Sequence, residues 1–274
     1  YEAHTLCEQY GLKCVFGVEA YYVNDMNDKS SRNNYHLMLV AMNDNGRKEI
    51  NRIMSIANTD GFYYKPRIDL NCLLSLTPTD VIVTTACVAS PMFKGEDWET
   101  TFLVPVYNHF RNNFYLEVQN HNELVQIEHN KKLLKVKEKY GIGLIHANDS
   151  HYIYPEDAKY RDLFLSAKGM HYEDESNFIL DYPDSDTVIE RYRIQGVLSN
   201  EQIKEAIEKL EKSEDIKVIK DGHTWTLTLS VKAGRKSKVI KIRNGWIKVI
   251  QQYQCKEGES VSWENILKVL VYLC

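Results

Sequence analysis

The stretch Leu144-Ile145-His146-Ala147-Asn148-Asp149-Ser150-His151-Tyr152 sets Asp149 and His151 two residues apart. On an extended backbone such residues leave the same face. A carboxylate and an imidazole then project together from the end of a buried strand, a common geometry for holding a metal. The same pattern also fits a strand followed by an Asn/Asp turn with a partly exposed histidine. Three more donors sit in apolar runs: Glu19 within Cys14–Val23, His36 at the start of Tyr35–Met42, and Cys87 near the end of Asp80–Ala89. Singly, each has a plainer reading, His36 as a hydrogen-bonded core residue and Cys87 as packing. Together with Asp149 and His151 they offer carboxylate, imidazole and thiolate to Zn²⁺ or Mn²⁺. A buried carboxylate is costly without a partner, so Glu19 calls for a cation, a donor or solvent.

Helices and strands alternate around these donors. Residues 1–13 read as the tail of an amphipathic helix closed by Gly11, and 24–34 as a polar surface loop. Over 43–59, Ile50, Ile53, Met54 and Ala57 follow the spacing of one buried helix face. Gly61-Phe62-Tyr63-Tyr64-Lys65-Pro66-Arg67-Ile68-Asp69 is aromatic and basic, and its proline excludes a helix interior. It is either a loop offering Lys65 and Arg67 to phosphate or an aromatic-packed crossover. A helix follows over 98–109, interrupted at Pro105, then a strand over 114–119 that closes on Asn120-His121. The next helix, 123–140, is expected to bury Leu124, Ile127 and Leu134 and to leave most of its lysines solvated. Four strand–helix alternations with helix-length connections predict a parallel α/β arrangement, open or closed into a barrel, with chemistry at the strand C-termini.

Composition narrows the classes. At 274 residues the chain can bury a large core, and 43% hydrophobic with 26% charged residues is ordinary for a soluble globular protein. A net charge of −4 leaves no overall nucleic-acid footprint, so any basic surface is local. No apolar run approaches the roughly 20 residues that cross a bilayer. The six cysteines are scattered, which fits reduced thiols in a cytosolic compartment. The chain opens on Tyr1, without Met, in what reads as the middle of a helix, and so reads as a fragment.

GVEAY at 17–21, HLMLVA from His36, GFYYKPRID at 61–69, TTAC ending at Cys87, FYLEVQNH at 114–121, and NDSHY with PEDA over 148–158 together resemble the PHP (polymerase and histidinol phosphatase) domain of the bacterial DNA polymerase III alpha subunit. The resemblance covers residues 1–182, and more weakly the helical stretch to about 210. It implies a distorted (β/α)7 barrel, here without its first strands, that binds up to three Zn²⁺ or Mn²⁺ ions. Carried over residue by residue, the family's metal ligands fall on Glu19, His36, Cys87, Asp149 and His151. The family's N-terminal HxH pair and the Asp and His ligands after it would lie before Tyr1. Sites that combine them with Asp149 or His151 are therefore expected to be incomplete.

The activity implied is metal-assisted phosphodiester hydrolysis, as in a 3′–5′ exonuclease, with Lys65 and Arg67 orienting phosphate and His121 moving a proton. Within the family, other PHP domains look structural, supporting the polymerase and its proofreading partner. A freestanding phosphoesterase fits less well, because GFYYKPRID resembles the polymerase branch. DNA, the replicative holoenzyme and a bacterial cytoplasm, or a phage-encoded equivalent, follow from the same resemblance.

Three regions are expected: a partial PHP barrel over 1–182, a helical linker over 183–214 leading towards a polymerase palm, and an unassigned module over 215–274. The linker holds a capping box at Ser199 and Gln202 and a staple of Leu198 with Ile203. In the last region Trp225, Leu227, Leu229 and Val231 alternate with polar residues, and Asn244-Gly245 signals a type I′ hairpin. A meander over about 223–252 and a helix from Ser262 are expected. Arg235, Lys236, Lys238, Lys241 and Arg243 make the meander basic, either a solvated face or a nucleic-acid contact.

Overall fold

The computed structural model describes Thr5, Gln9 and residues 15–170, 178–211, 215–221, 224–231 and 235–242. Of the helix expected over 1–13 only Thr5 and Gln9, both helical, are described, and Arg243, the Asn244-Gly245 hairpin and the helix from Ser262 lie outside the described residues. The chain divides into two compact units, residues 15–149 with 191–206, and residues 1–14 with 150–190 and 207–274.

The first unit is built on a six-stranded sheet. Its strands are β1 (Gly17–Tyr22), β2 (Tyr35–Ala41), β3 (Arg67–Ile68), β4 (Val81–Thr84), β5 (Phe114–Val118) and β6 (Leu144–His146), in the spatial order β3-β1-β2-β4-β5-β6. β2 runs antiparallel to both β1 and β4, while the other neighbours pair in parallel. The wholly parallel arrangement expected from the alternation is thus corrected at β2. The loop 23–34 holds no helix to carry a parallel crossover, so the chain simply turns back on itself. The fold is mixed α/β, in keeping with the barrel class expected, and the barrel is not closed among the described residues.

Alternation gives the sheet two unlike faces. Ala20, Tyr22, Leu37, Leu39, Val83, Phe114, Leu116, Val118 and Leu144 form the fully buried apolar face. The pairs Glu19↔Met38, Tyr21↔His36, Met38↔Thr84 and Thr84↔Tyr115 put Glu19, Tyr21, His36, Thr84 and Glu117 on the opposite face. The candidate ligands of β1 and β2 therefore share one side.

Helix α1 (Asp44–Thr59) starts where Asn43 accepts a hydrogen bond from the Gly46 N–H at 2.9 Å, and it buries Ile50, Ile53 and Ala57 as the spacing predicts, with Met54 half-buried. Gly46 lies so close to β4 that a Cβ there would sit 2.0 Å from the Asp80 carbonyl oxygen. Gly46→Ala is expected to cost about 1–3 kcal/mol in urea denaturation, since backbone rather than a flexible side chain must yield. An unchanged midpoint would mean that α1 stands further from β4.

α2 (Leu70–Leu74) and α3 (Pro91–Lys94) are single turns, capped by Asp69 and Ser90. The helix expected over 98–109 is a π-helical turn, Glu99–Leu103, running into α4 (Val104–Phe110). Pro105 falls in the first turn of α4, where its missing N–H is tolerated.

α5 (Leu124–Tyr140) overturns its predicted stripe. Leu124 is 78% exposed, whereas Gln126, His129, Asn130, Leu133 and Val136 are buried. The inward face is largely polar: Asn130 Nδ2 donates to the Gln119 carbonyl at 2.9 Å and to Gln195 Oε1 at 2.7 Å, whereas both ring nitrogens of His129 are buried without a hydrogen-bond partner among the described residues. Hydrophobic periodicity cannot see such a face. α6 (Ala158–Ala167), in the second unit, has no buried residue. α7 (Ser185–Gln195) and α8 (Asn200–Glu211) follow. The capping box at the start of α8 is present: the Gln202 N–H donates to Ser199 Oγ at 3.3 Å and the Ser199 N–H to Gln202 Oε1 at 2.9 Å.

The second unit holds a separate antiparallel sheet, β7 (Asp215–Asp221), β8 (Thr224–Val231) and β9 (Arg235–Ile242). The expected meander begins earlier in the chain than predicted. Residues 215–221 form its first strand, pairing Asp221 with Thr224, and β9 pairs Ile242 with Trp225 and Ile240 with Leu227. The rest of the expected meander, residues 243–252, lies outside the described residues. No described helix is long and apolar enough to cross a membrane.

Candidate metal centre

Glu19 and His36 meet as diagonal neighbours on the β1–β2 pair, Glu19 standing two residues before Tyr21, the partner of His36. Glu19 Oε1 lies 3.2 Å from His36 Nδ1. Cys87 comes from the turn after β4. The His36 N–H donates to the Ala89 carbonyl at 3.0 Å, which fixes that turn beside β2. Cys87 Sγ then lies 3.6 Å from the same His36 Nδ1. Carboxylate, imidazole and thiol thus converge on one atom, and Tyr21 packs edge-on against His36 with ring centroids 5.6 Å apart.

These separations can be compared with those around a tetrahedral zinc ion. Bonds of about 2.0–2.1 Å to nitrogen or oxygen and about 2.3 Å to sulfur put N and O about 3.3 Å apart and N and S about 3.6 Å apart. Two edges of such a tetrahedron are present. Even so, among the described residues no group of three or more His, Cys, Asp or Glu side chains is arranged to hold a metal ion. The donor chemistry fits a cation; the completed cage is not formed.

The backbone is strained on both flanks. Ala86, next to Cys87, has φ of 53°, and Asp149 has φ of 51°. Aspartate tolerates that region better than alanine. The left-handed turn at Asp149 also corrects the extended stretch predicted there, because β6 ends at His146 and Asp149 projects from a turn. Whether Asp149 and His151 face one way thus does not follow from strand geometry, and His151 belongs to the second unit, where its N–H donates to the Leu180 carbonyl at 2.8 Å.

Glu117 is the functional candidate that sequence reasoning missed. It is buried on the same sheet face as Glu19 and His36, accepting hydrogen bonds from Thr84 Oγ1 and, at 3.1 Å, from Gln119 Nε2. Burial pushes its carboxyl up to about 7, and the negative charges of Asp149 and Glu19 push the same way. The available signal was a lone acid in an apolar strand, the one that drew notice to Glu19. Burial also pushes the Cys87 thiol up to about 12, helped by Asp149, Glu19 and Glu117. Three carboxylates therefore bear on one thiol, an electrostatic setting that favours a cation.

The remaining predicted residues divide. Lys65 is exposed, its Nζ 3.3 Å from the Tyr21 hydroxyl and thus one side chain away from His36. Arg67 is 1% exposed and donates to the carbonyls of Gly61 at 3.1 Å, Asp28 at 2.8 Å and Met26 at 2.8 Å. Those contacts clamp the loop 24–34 and leave no exposed guanidinium for phosphate, contrary to its expected role. His121 is buried, and its carbonyl accepts from Gln195 Nε2 at 2.5 Å. Its charge bears on His146, which lies on the sheet face opposite Glu19. There Tyr192 OH donates to the Val118 carbonyl at 2.9 Å, so its contact with His146 Nδ1 at 2.7 Å requires the imidazole to donate. Arg235, Lys236, Lys238 and Lys241 all lie on β9.

The family model described as PHP domain matches residues 1–121. Those residues form a PHP domain. The match takes in Glu19, His36, Cys87, Glu117 and His121, whereas Asp149 and His151 lie beyond it. Relatives extend further along the chain. The DNA polymerase III subunit alpha of Aquifex aeolicus is 33% identical over 189 residues, 62% of this chain and 16% of that protein. The subunit of Borreliella burgdorferi is 34% identical over 168 residues, 57% of this chain and 14% of that protein. That of Helicobacter pylori strain 26695 is 30% identical over 179 residues, 59% and 15%. The chain spans 14–16% of the length of these relatives.

Proposed function

We propose that this chain is part of a DNA polymerase III alpha-type protein acting in bacterial DNA replication, and that its PHP domain uses a divalent cation to hydrolyse phosphodiester bonds at DNA 3′ ends. The convergence of Glu19 and Cys87 on His36 Nδ1 carries this reading. Glu19, His36 and Cys87 would hold one Zn²⁺ or Mn²⁺ ion, with Asp149 as a further donor. When bound, the ion would lower the pKa of a coordinated water and stabilise charge on the phosphate. The chain's own residues set the conditions for it. Cys87 keeps its proton at neutral pH until a cation displaces it, and Lys65 offers a positive charge beside Tyr21 to a phosphate oxygen. The site of action would be the cytoplasm, and the partners DNA and the replicative and proofreading subunits.

Cobalt provides the test. Chelated protein titrated with Co²⁺ is expected to take up the ion and to develop the near-ultraviolet absorption of a thiolate–cobalt bond. Cys87→Ser should abolish that band. No cobalt uptake, or a band that survives in Cys87→Ser, would overturn the assignment. Release of nucleotides from a 3′-labelled single strand, stopped by chelator, would then separate a hydrolase from a scaffold.

A further inference from the structure

The aromatic and basic segment 61–69 supplies little to the core beyond Arg67, Ile68 and Asp69, yet it is held firmly in place. Tyr63 N–H donates to the Lys65 carbonyl at 3.0 Å, pinching a tight turn at whose apex Tyr64 has φ of 59°. A bulky aromatic side chain is disfavoured in that region, where glycine or asparagine would sit without strain. Tyr64 is nonetheless 57% exposed, and Phe62 51%. The Arg32 guanidinium carbon lies 3.7 Å from the centroid of the Tyr64 ring. Arg32 Nη2 also donates to the Tyr64 hydroxyl at 2.5 Å, and the bonds of Arg67 to the Met26 and Asp28 carbonyls tie the loop that carries Arg32 to the strand that follows Tyr64. On the inner side of the turn Lys65 Nζ stands 4.8 Å from the Tyr21 ring, and Tyr21 packs on His36. The loop carries acids as well, but the Asp28 carboxylate is held by Ser30 and faces Arg67.

We propose that Tyr64 and Arg32 form a stacking platform for a base of single-stranded DNA, with Lys65 receiving the adjoining phosphate on the way to Glu19, His36 and Cys87. An exposed ring layered with a guanidinium offers a π-face to any base, and two cations within reach of it suit a polyanion. Single-stranded DNA is the occupant because a paired base keeps its faces stacked within the duplex. The proposal rests on the reading of the cluster as a phosphodiester site, and it assigns the surface that delivers the strand.

Tyr64→Gly is the decisive variant, because it removes the ring and relieves the backbone together. It is expected to raise the melting temperature of the chain. It should also weaken the binding of a fluorescein-labelled oligothymidine, read by anisotropy, by at least about 5-fold. A ring serving only the fold would behave in the opposite way. Arg32→Ala should weaken binding too and reduce the salt dependence by about one ion. Tyr64→Phe should keep most of the affinity. Oligothymidine binding by the parent chain that is unchanged in both Tyr64→Gly and Arg32→Ala would overturn the platform, as would no binding by the parent. Loss of affinity in these variants, in a chain whose cluster takes up no cobalt, would support the platform and remove the phosphodiester reading alone.

Discussion

Replacement of Arg67 by Met is expected to destabilise the PHP domain by on the order of 3 kcal/mol, measured as a lower urea midpoint at unchanged slope. The side chain is buried, and methionine fills much of its volume, so the loss is not mainly a cavity. It arises because the carbonyls of Gly61, Asp28 and Met26 lose their donors together. Arg67→Lys should recover little, since one ammonium cannot reach three carbonyls that a planar fork reaches at once. The expected damage is local to the loop 24–34, so protease cleavage there should rise with the loss of stability. Normal stability in Arg67→Met together with weaker phosphate or DNA binding would return the residue to the surface role that its sequence context suggests.

Glu117→Gln is expected to stabilise the chelated protein at alkaline pH and to change little in acid. In the fold the carboxyl titrates at about 7, against about 4.5 in the unfolded chain. The folded state thus holds its proton more tightly. Its stability contribution is fully present below about pH 4.5, falls as pH rises, and is gone above about pH 7. The difference corresponds to about 3 kcal/mol, which the neutral amide does not lose. Rotation of the Gln119 amide restores its bond to the new side chain. His129 and His146, both lowered by burial to about 4, titrate in the same window with the opposite sign, losing stability as pH falls. Comparing Glu117→Gln with its parent at each pH cancels their effect. A constant difference between the two from about pH 4 to about pH 8 would place the carboxyl in contact with water.

Much of this architecture was legible in the chain itself. The α1 stripe, the Asn43 start and the capping box of α8 obey local rules, and each appears as the residues dictate. Glu19, His36 and Cys87 were readable as donors because each is a polar exception in an apolar run. Other features were hidden for physical reasons. The antiparallel course of β2 depends on a loop without a helix, which periodicity does not weigh. The buried face of α5 is polar at Gln126, His129 and Asn130 and apolar only at Leu133 and Val136, so it carries no continuous apolar stripe to detect. Arg67 looks like a surface cation until its carbonyl partners, some 40 positions earlier for Met26 and Asp28, are brought to it by the fold. Asp149 and His151 were paired on the premise of an extended backbone, and a left-handed residue removes that premise.

The order in which strands meet gives the cluster a kinetic character. Glu19 and His36 come together when a hairpin closes on itself, a short-range event. Cys87 arrives only after β4 has docked on β2, with α1, β3 and α2 already threaded between them in the chain. Closing that longer loop is the slower step. If the proposed ion binds this cluster, it would therefore meet only two of the donors in the early hairpin and the third once the native pairing is complete. It would act as a latch that retards unfolding rather than as a nucleus that hastens collapse.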